Sequence, residues 1–182
     1  MRLPFFTIGH SNRSLDEFTR LLLGAGIGIV ADVRKLPRSR ANPQFNEEAL
    51  PGSLAALDVS YQHFAALGGR RGKSRTSPRD LNGLWTNESF HNYADYALTA
   101  EFRAALARLR EAGRDRRCAI MCSEALWWRC HRRIVADQLI ARGETVFHVI
   151  AEGRLEPARL TAGAVIRDRE TVVYPAEHRT DA

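Results

Sequence analysis

Short apolar runs recur along the chain and are separated by segments of helical periodicity. Runs at 5–8, 27–33, 118–122 and 145–150 predict strands, and a weaker run at 59–62 predicts one more. Several of these runs are apolar almost throughout, as is typical of strands buried on both faces of a parallel sheet.

Helices are predicted where apolar residues recur three and four positions apart. Ser14 and Glu17 match the S-x-x-E capping box, so a helix is expected to begin there. Asn46 can cap a short helix that Pro51 interrupts. The remaining segments with helical spacing are 89–98, 99 or 100–112 and 130–142.

The order of these elements predicts the fold class. Strand, helix and strand follow one another in 5–33 and again in 118–150, which implies parallel pairs with right-handed crossovers. Apolar pairs on either side of 167–171 indicate a closing hairpin. We therefore predict a single α/β domain over 1–182 with three layers. It has a mostly parallel sheet of about five strands flanked by helices, and a small C-terminal hairpin. Its core spans about 5–175, and 177–182 is expected to be a frayed tail.

Composition agrees with a soluble globular protein, because 45% of its 182 residues are hydrophobic and 26% are charged. No apolar run approaches the roughly 18 residues of a membrane span, and the start lacks the apolar centre of a signal peptide. We therefore expect a cytoplasmic protein without a membrane partner. The three cysteines crowd into 118–130, which favours free thiols over a disulfide framework.

The net charge of +6 and the pI of about 9.8 indicate an anionic partner, either a small molecule or a nucleic acid. A strong bias toward arginine, which genome composition could also produce, leaves only Lys35 and Lys73 as lysines. Residues 70–88 are expected to form a mobile basic loop. Four of its cations could follow a phosphate backbone, although a solvated loop explains them too. These four are Arg70, Arg71, Lys73 and Arg75.

Polar residues follow three of the predicted strands. His10 and Ser11 come after the first strand, Asp32 and Arg34 end the second, and the run 122–132 leads from a strand to a helix. The carboxyl ends of parallel strands share one edge, where α/β sheets place their ligands. We therefore predict one pocket at this edge.

The run 122–132 supplies the predicted catalytic residues, Cys122, Glu124 and His131. Cys122 could be an activated thiol at a helix N-terminus or a buried structural one. Glu124 could be a general base or the partner of an arginine, and His131 could donate a proton or only a hydrogen bond. The predicted ligand-binding residues are His10, Ser11, Asp32, Arg34, Cys130 and Arg132.

A metal site is the weaker possibility. Cys122, Cys130, His131 and His10 could together hold a metal, but C-x7-C-H is not a spacing typical of zinc sites. We therefore assign no metal ligand, and the cofactor and the oligomeric state are left unknown.

Short motifs in order give the chain a family resemblance. They are T-I-G-H-S at 7–11, D-V-R at 32–34, P-x-S-R at 37–40, F-N at 45–46, Y-x-H at 61–63, L-G-G at 67–69, C-x-E at 122–124, C-H-R at 130–132 and F-H-V-I at 147–150. In these the chain resembles the bacterial and archaeal domain of unknown function 488 family over about 5–175. The resemblance implies a small α/β domain and no assigned reaction.

A more distant similarity is to rhodanese-like sulfurtransferases, which also have D-V-R near the end of an early strand and a reactive cysteine before a helix. Glu124 and the bulky residues at 126–128 depart from the anion-cradling rhodanese loop. Three functional hypotheses follow. The first is an enzyme-like pocket for an anionic ligand, the second is a nucleic-acid-binding module that uses 70–79, and the third is a persulfide carrier on Cys122.

Overall fold

The computed structural model describes residues 2–176, and the expected frayed tail at 177–182 lies outside them. Eight strands are formed: β1 Phe5–Gly9, β2 Ile29–Asp32, β3 Ser60–His63, β4 Cys118–Cys122, β5 Val146–Ala151, β6 Arg154–Pro157, β7 Val165–Arg167 and β8 Thr171–Val173. Five α-helices accompany them: α1 Leu15–Gly24, α2 Leu50–Ala55, α3 Glu88–Tyr96, α4 Ala100–Ala112 and α5 Arg132–Ile140.

The central sheet has six strands in the order β3-β2-β4-β1-β5-β6. The first five are parallel to their neighbours, and β6 pairs antiparallel with β5 at the edge. β7 and β8 form the separate antiparallel hairpin. The predicted fold class is therefore confirmed, with β6 as an additional strand that is short and exposed throughout.

Alternate residues of each central strand pack into two different cores. Ile29, Ala31 and Ile120 face a core shared with α3, α4 and α5. Val30 and Ala119 face the opposite core, which α1 and α2 complete. This gives the predicted three layers, and burial on both faces explains why the central strands β2 and β4 are almost entirely apolar.

Two helices begin differently from the prediction. Pro51 does not interrupt a helix, because it lies in the first turn of α2, where its missing N–H leaves no hydrogen bond unmade. α5 begins at Arg132 rather than at Cys130, so Cys130 and His131 belong to the preceding loop. Ser14 caps α1 as predicted, since its side chain accepts a hydrogen bond from the Glu17 N–H.

The segment 70–88 contains a short 3₁₀ helix at Arg79–Asn82 and otherwise irregular backbone as far as α3. Asn82 is buried, donating to Asp95 at 2.7 Å and accepting from the Tyr174 N–H at 3.0 Å. These bonds anchor the second half of the segment, and the mobility of its first half stays a prediction. Within residues 2–176, no helix has the length and apolar character needed to cross a membrane.

Candidate functional site

The carboxyl ends of three strands meet at one edge of the sheet, as the sequence predicts. Gly9 of β1 is in register with Cys122 of β4, and Asp32 of β2 is in register with Met121. The contact continues beyond the strands, since the His10 N–H donates to the Cys122 carbonyl at 2.9 Å. Side chains that follow β1, β2 and β4 are therefore neighbours.

This edge is a topological switch point. β1 and β4 are adjacent, yet α1 leaves β1 over one face of the sheet and α5 follows β4 over the other. The two connections diverge and leave a crevice between the strand ends, which is where open α/β sheets bind ligands.

A cleft of about 840 Å³ opens at this crevice. Seven of the nine predicted catalytic and ligand-binding residues line it: His10, Ser11, Arg34, Cys122, Glu124, Cys130 and His131. Asp32 and Arg132 lie beneath it and are fully buried. Three cationic side chains that the prediction left out also line the cleft: Lys35, Arg38 and Arg129. Arg38 belongs to the P-x-S-R motif, and Arg129 directly precedes the C-H-R motif, so the sequence contained a signal for both.

Asp32 and Arg34 form a buried bidentate ion pair. Arg34 Nε lies 2.9 Å from Asp32 Oδ1, and Nη2 lies 2.6 Å from Oδ2. Tyr61 donates its hydroxyl to Asp32 Oδ2 at 2.7 Å, and His63 Nε2 donates to the Arg34 carbonyl at 2.8 Å. The Y-x-H motif therefore supports the D-V-R motif from the neighbouring strand β3.

His10 is held neutral beside this pair. Its Nδ1 lies 2.8 Å from the Ser11 carbonyl, which can only accept, so Nε2 is the acceptor for Arg34 Nη1 at 3.2 Å. Burial lowers its pKa to about 4, and the nearby Arg34 charge acts in the same direction. With both ring nitrogens engaged, His10 has no lone pair left for a metal.

Arg132 is a buried guanidinium without a carboxylate partner in residues 2–176. Its Nη2 donates to the backbone carbonyl of Glu124, and its Nε lies 3.2 Å from Cys130 Sγ. Of the two roles considered for Glu124, the ion pair with an arginine is not formed with Arg132, because Glu124 Oε1 instead accepts from the Leu126 N–H at 3.1 Å. Nη1 of Arg132 has no hydrogen-bond partner in the described part of the chain.

The two thiols at the site differ in acidity. The hydrogen bond that Cys122 gives to Cys130, together with burial, raises the pKa of Cys122 to about 12. Burial alone would also raise the pKa of Cys130, but the bond from Cys122 and the charge of Arg132 outweigh it and lower this pKa to about 6. Of the two possibilities for Cys122, the raised pKa favours the buried structural thiol, and Arg132 contacts the other sulfur.

His131 bridges the Cys130 side chain and the backbone directly after β2. Nε2 lies 3.0 Å from the Val33 carbonyl, and Nδ1 lies 3.6 Å from Cys130 Sγ. Gly69 packs against this ring, where an added Cβ would come within 3.0 Å of Nδ1. The second glycine of the L-G-G motif therefore leaves space for His131.

Trp127 anchors the loop between β4 and α5. Its ring stacks on His148 at 4.1 Å, and His148 Nδ1 lies 2.7 Å from Thr7 Oγ1. Of the two tryptophans, Trp127 therefore packs against His148, while Trp128 remains 46% exposed. The F-H-V-I motif supplies the histidine for this contact.

The four predicted nucleic-acid-binding residues of the basic segment differ in their surroundings. Arg70 lines the cleft, whereas Arg71 lies 3.7 Å from the Tyr96 ring centroid and donates to three backbone carbonyls. Lys73 and Arg75 are exposed. A role in nucleic-acid binding for these four stays a prediction, and Arg71 has a structural role in addition.

Comparison with known families agrees with the motifs. A family model described as domain of unknown function DUF488 matches residues 14–139. The chain belongs to this family. Comparison with curated proteins and with solved structures finds no match. The rhodanese-like similarity gains no support from these comparisons.

Several of the sequence motifs contribute to the same part of the structure. They build the carboxyl edge of the sheet: Gly9 approaches the Glu124 carbonyl so closely that an added Cβ would lie 2.0 Å from it. Phe45 stacks on His10 at 4.3 Å, and its carbonyl accepts from Arg34 at 2.6 Å. Residues far apart in the chain therefore define a single site in this family member.

Proposed function

We propose that this family member is an enzyme that binds a phosphate-bearing small molecule in the cleft at the strand ends. The observation that carries the proposal is the charge of the lining, where five cations face a single carboxylate, Glu124. The cations are Arg34, Lys35, Arg38, Arg70 and Arg129. The cleft of about 840 Å³ lies within the range of small-molecule sites, roughly 300–1,000 Å³.

Not all five charges are available to a ligand. Asp32 neutralises Arg34, and Glu47 and Glu48 pair with Arg38. Lys35, Arg70 and Arg129 have no salt bridge in residues 2–176. We infer that these three provide the anion-binding charge and that Arg34 and Arg132 position the loops beneath. In the proposed enzyme without a bound metal, Glu124 and His131 are the groups that could transfer protons.

Calorimetric titration with inorganic phosphate, pyrophosphate and ATP tests this proposal. Arg129→Ala and Lys35→Ala are each expected to weaken binding about tenfold or more, because each removes a charge-assisted hydrogen bond. Arg159→Ala is the matched control, since Arg159 is exposed and does not line the cleft, and it should bind normally. Absence of binding of all three anions to the wild type, or an equal loss in the control, would reject the proposal.

Nucleic-acid binding is the second candidate, and the exposure of Lys73 and Arg75 favours it. It predicts affinity for random single strands that falls steeply with salt and weakens in a Lys73→Ala, Arg75→Ala double variant. Small-molecule binding predicts that this variant leaves phosphate affinity unchanged. Persulfide transfer from Cys122 has no comparable support, because the raised pKa of this thiol works against nucleophilic attack.

A further inference from the structure

Three side chains at the floor of the cleft bring together sulfur and nitrogen atoms that metals favour. Cys122 Sγ, Cys130 Sγ and a ring nitrogen of His131 all lie within 4.8 Å of one another. All three residues line the cleft, so the group borders the space that a ligand would occupy.

The spacing of these atoms suits a tetrahedral zinc ion. With Zn–S bonds of about 2.3 Å and Zn–N bonds of about 2.0 Å, two sulfurs lie about 3.8 Å apart, and a sulfur and a nitrogen about 3.5 Å apart. Cys130 Sγ and His131 Nδ1 are separated by 3.6 Å. Cys122 Sγ lies within 4.8 Å of Cys130 Sγ and of a ring nitrogen of His131.

The tautomer of His131 also suits a metal ligand. The Val33 carbonyl, 3.0 Å from Nε2, can only accept, so Nε2 carries the proton. Nδ1 is then left with its lone pair directed toward Cys130 Sγ. Metal-binding histidines typically donate their second ring N–H to a carbonyl or carboxylate in this way, which fixes the ring and its tautomer.

Arg132 would serve as an outer-shell donor to this centre. Its Nε lies 3.2 Å from Cys130 Sγ. Two thiolates neutralise the charge of Zn²⁺, so the buried guanidinium would face a neutral centre while its N–H···S bond orients the ligand.

We propose that Cys122, Cys130 and His131 bind one Zn²⁺ ion whose fourth position opens into the cleft. Binding converts each coordinating thiol to a thiolate and releases its proton to solvent, while His131 binds as the neutral ring. Three protein ligands with an open fourth position are the arrangement of catalytic rather than structural zinc sites. This inference goes beyond the anion-binding proposal and does not depend on it.

Metal content and cobalt spectroscopy of the full chain test the proposal. The reduced, metal-stripped protein is reconstituted with Zn²⁺, dialysed and analysed by atomic emission, and about one zinc per chain is expected. Co²⁺ is expected to give the intense visible bands of a tetrahedral site together with a thiolate-to-cobalt charge-transfer band. Mg²⁺ should not compete, because it is a hard cation that prefers oxygen ligands.

Single variants identify the ligands. Cys122→Ala, Cys130→Ala and His131→Ala should each weaken zinc binding more than about 100-fold, since outer-shell changes alone cost 10–100-fold. Cys118→Ala is the matched control, because Cys118 is buried in the core away from the cleft, and it should retain zinc and the cobalt spectrum.

The wild-type cobalt spectrum decides the question even if a variant fails to fold. A wild type that retains no zinc, a cobalt spectrum without the thiolate band, or an equal loss in Cys118→Ala would each overturn the proposal. Phosphate titration of the metal-free wild type separates the two proposals, since zinc could bind without phosphate and phosphate without zinc.

Discussion

At the level of single residues, the site depends on buried charges that must find partners within it. Asp32 and Arg34 are both buried and satisfy each other. Arg132 is also buried, but its nearest acceptors are a sulfur and a backbone carbonyl. Buried charges of this kind are costly unless they are paired, so their positions indicate which contacts the fold cannot lose.

Asp32→Asn is expected to destabilise the protein by about 3–5 kcal/mol, because it leaves the Arg34 guanidinium buried without its counterion. Urea unfolding followed by circular dichroism measures the change. Asp58→Asn is the control, since the Asp58 side chain is 93% exposed and asparagine tolerates its positive φ. It should change stability by less than about 0.5 kcal/mol. A loss below about 1 kcal/mol for Asp32→Asn would mean that the pair does not support the fold.

His148 makes stability depend on pH in a predictable direction. Burial lowers its pKa from 6.5 to about 4, so at pH values between these two only the unfolded state binds the proton. Stability is therefore full above about pH 6.5 and is lost as the pH falls toward 4. We expect His148→Gln to reduce the loss between pH 7 and pH 5 by about 1 kcal/mol, allowing for solvent screening. Urea unfolding of both proteins at the two pH values measures this, and equal pH dependence would contradict it.

At the level of elements, close approach between β1 and the loop after β4 limits what the chain can place there. A Cβ added at Gly9 would lie 2.0 Å from the Glu124 carbonyl oxygen. The loop could relieve this contact only by moving away from the strand end, which would separate the side chains of the cleft.

Gly9→Ala is expected to destabilise the protein by about 1–3 kcal/mol, because the backbone atoms it meets cannot rotate away as a side chain can. Gly24→Ala is the matched control at the last residue of α1, where an added Cβ has nothing within 4 Å. It should stabilise by about 0.5–1 kcal/mol through helix propensity. Thermal unfolding of the two variants tests the pair, and a Gly9→Ala protein as stable as the wild type would contradict the steric argument.

The elements that the sequence predicts correctly are those whose hydrophobic pattern is strong over many residues. β4 is apolar throughout and β2 is apolar as far as Asp32, because both of their faces are buried, and α1 combines a cap with an apolar stripe. β6 has neither property, since all four of its residues are exposed and it is ordered by pairing with β5. Hydrophobic periodicity carries no information about such an edge strand.

The sequence predicts where the pocket lies and which residues contribute to it. It does not predict which atoms of these residues contact one another. Parallel strands bring His10, Arg34 and Cys122 to one edge, and this follows from strand direction alone. Which thiol meets Arg132 depends on the path of the loop after β4, including its 3₁₀ turn at Trp127–Arg129. The stacking of Trp127 on His148 holds that loop, and a contact across 21 positions in sequence leaves no local pattern.

At the level of the whole molecule, the sheet order places the site at the most protected part of the fold. β4 and β1 are neighbours in the middle of the sheet, and helices cover both of its faces. β6 lies at the edge and is exposed along its length. We therefore expect the strands beneath the cleft to open only when the whole domain unfolds, which would keep the side chains of the cleft in fixed positions.

Native-state hydrogen exchange tests this arrangement. Amides of β4 are expected to exchange only through global unfolding, so their opening free energy should equal the unfolding free energy from urea titration. Amides of β6 should exchange through local opening, with a free energy at least about 2 kcal/mol lower, because only β5 pairs with this strand. Asp32→Asn should lower the opening free energy of the β4 amides by as much as it lowers the free energy of unfolding. The opening free energy of the β6 amides should change less, since local opening of the edge does not disturb the buried Asp32–Arg34 pair. If β6 were protected as strongly as β4, or if β4 exchanged below the global value, the strands beneath the cleft would not be the rigid part of the molecule.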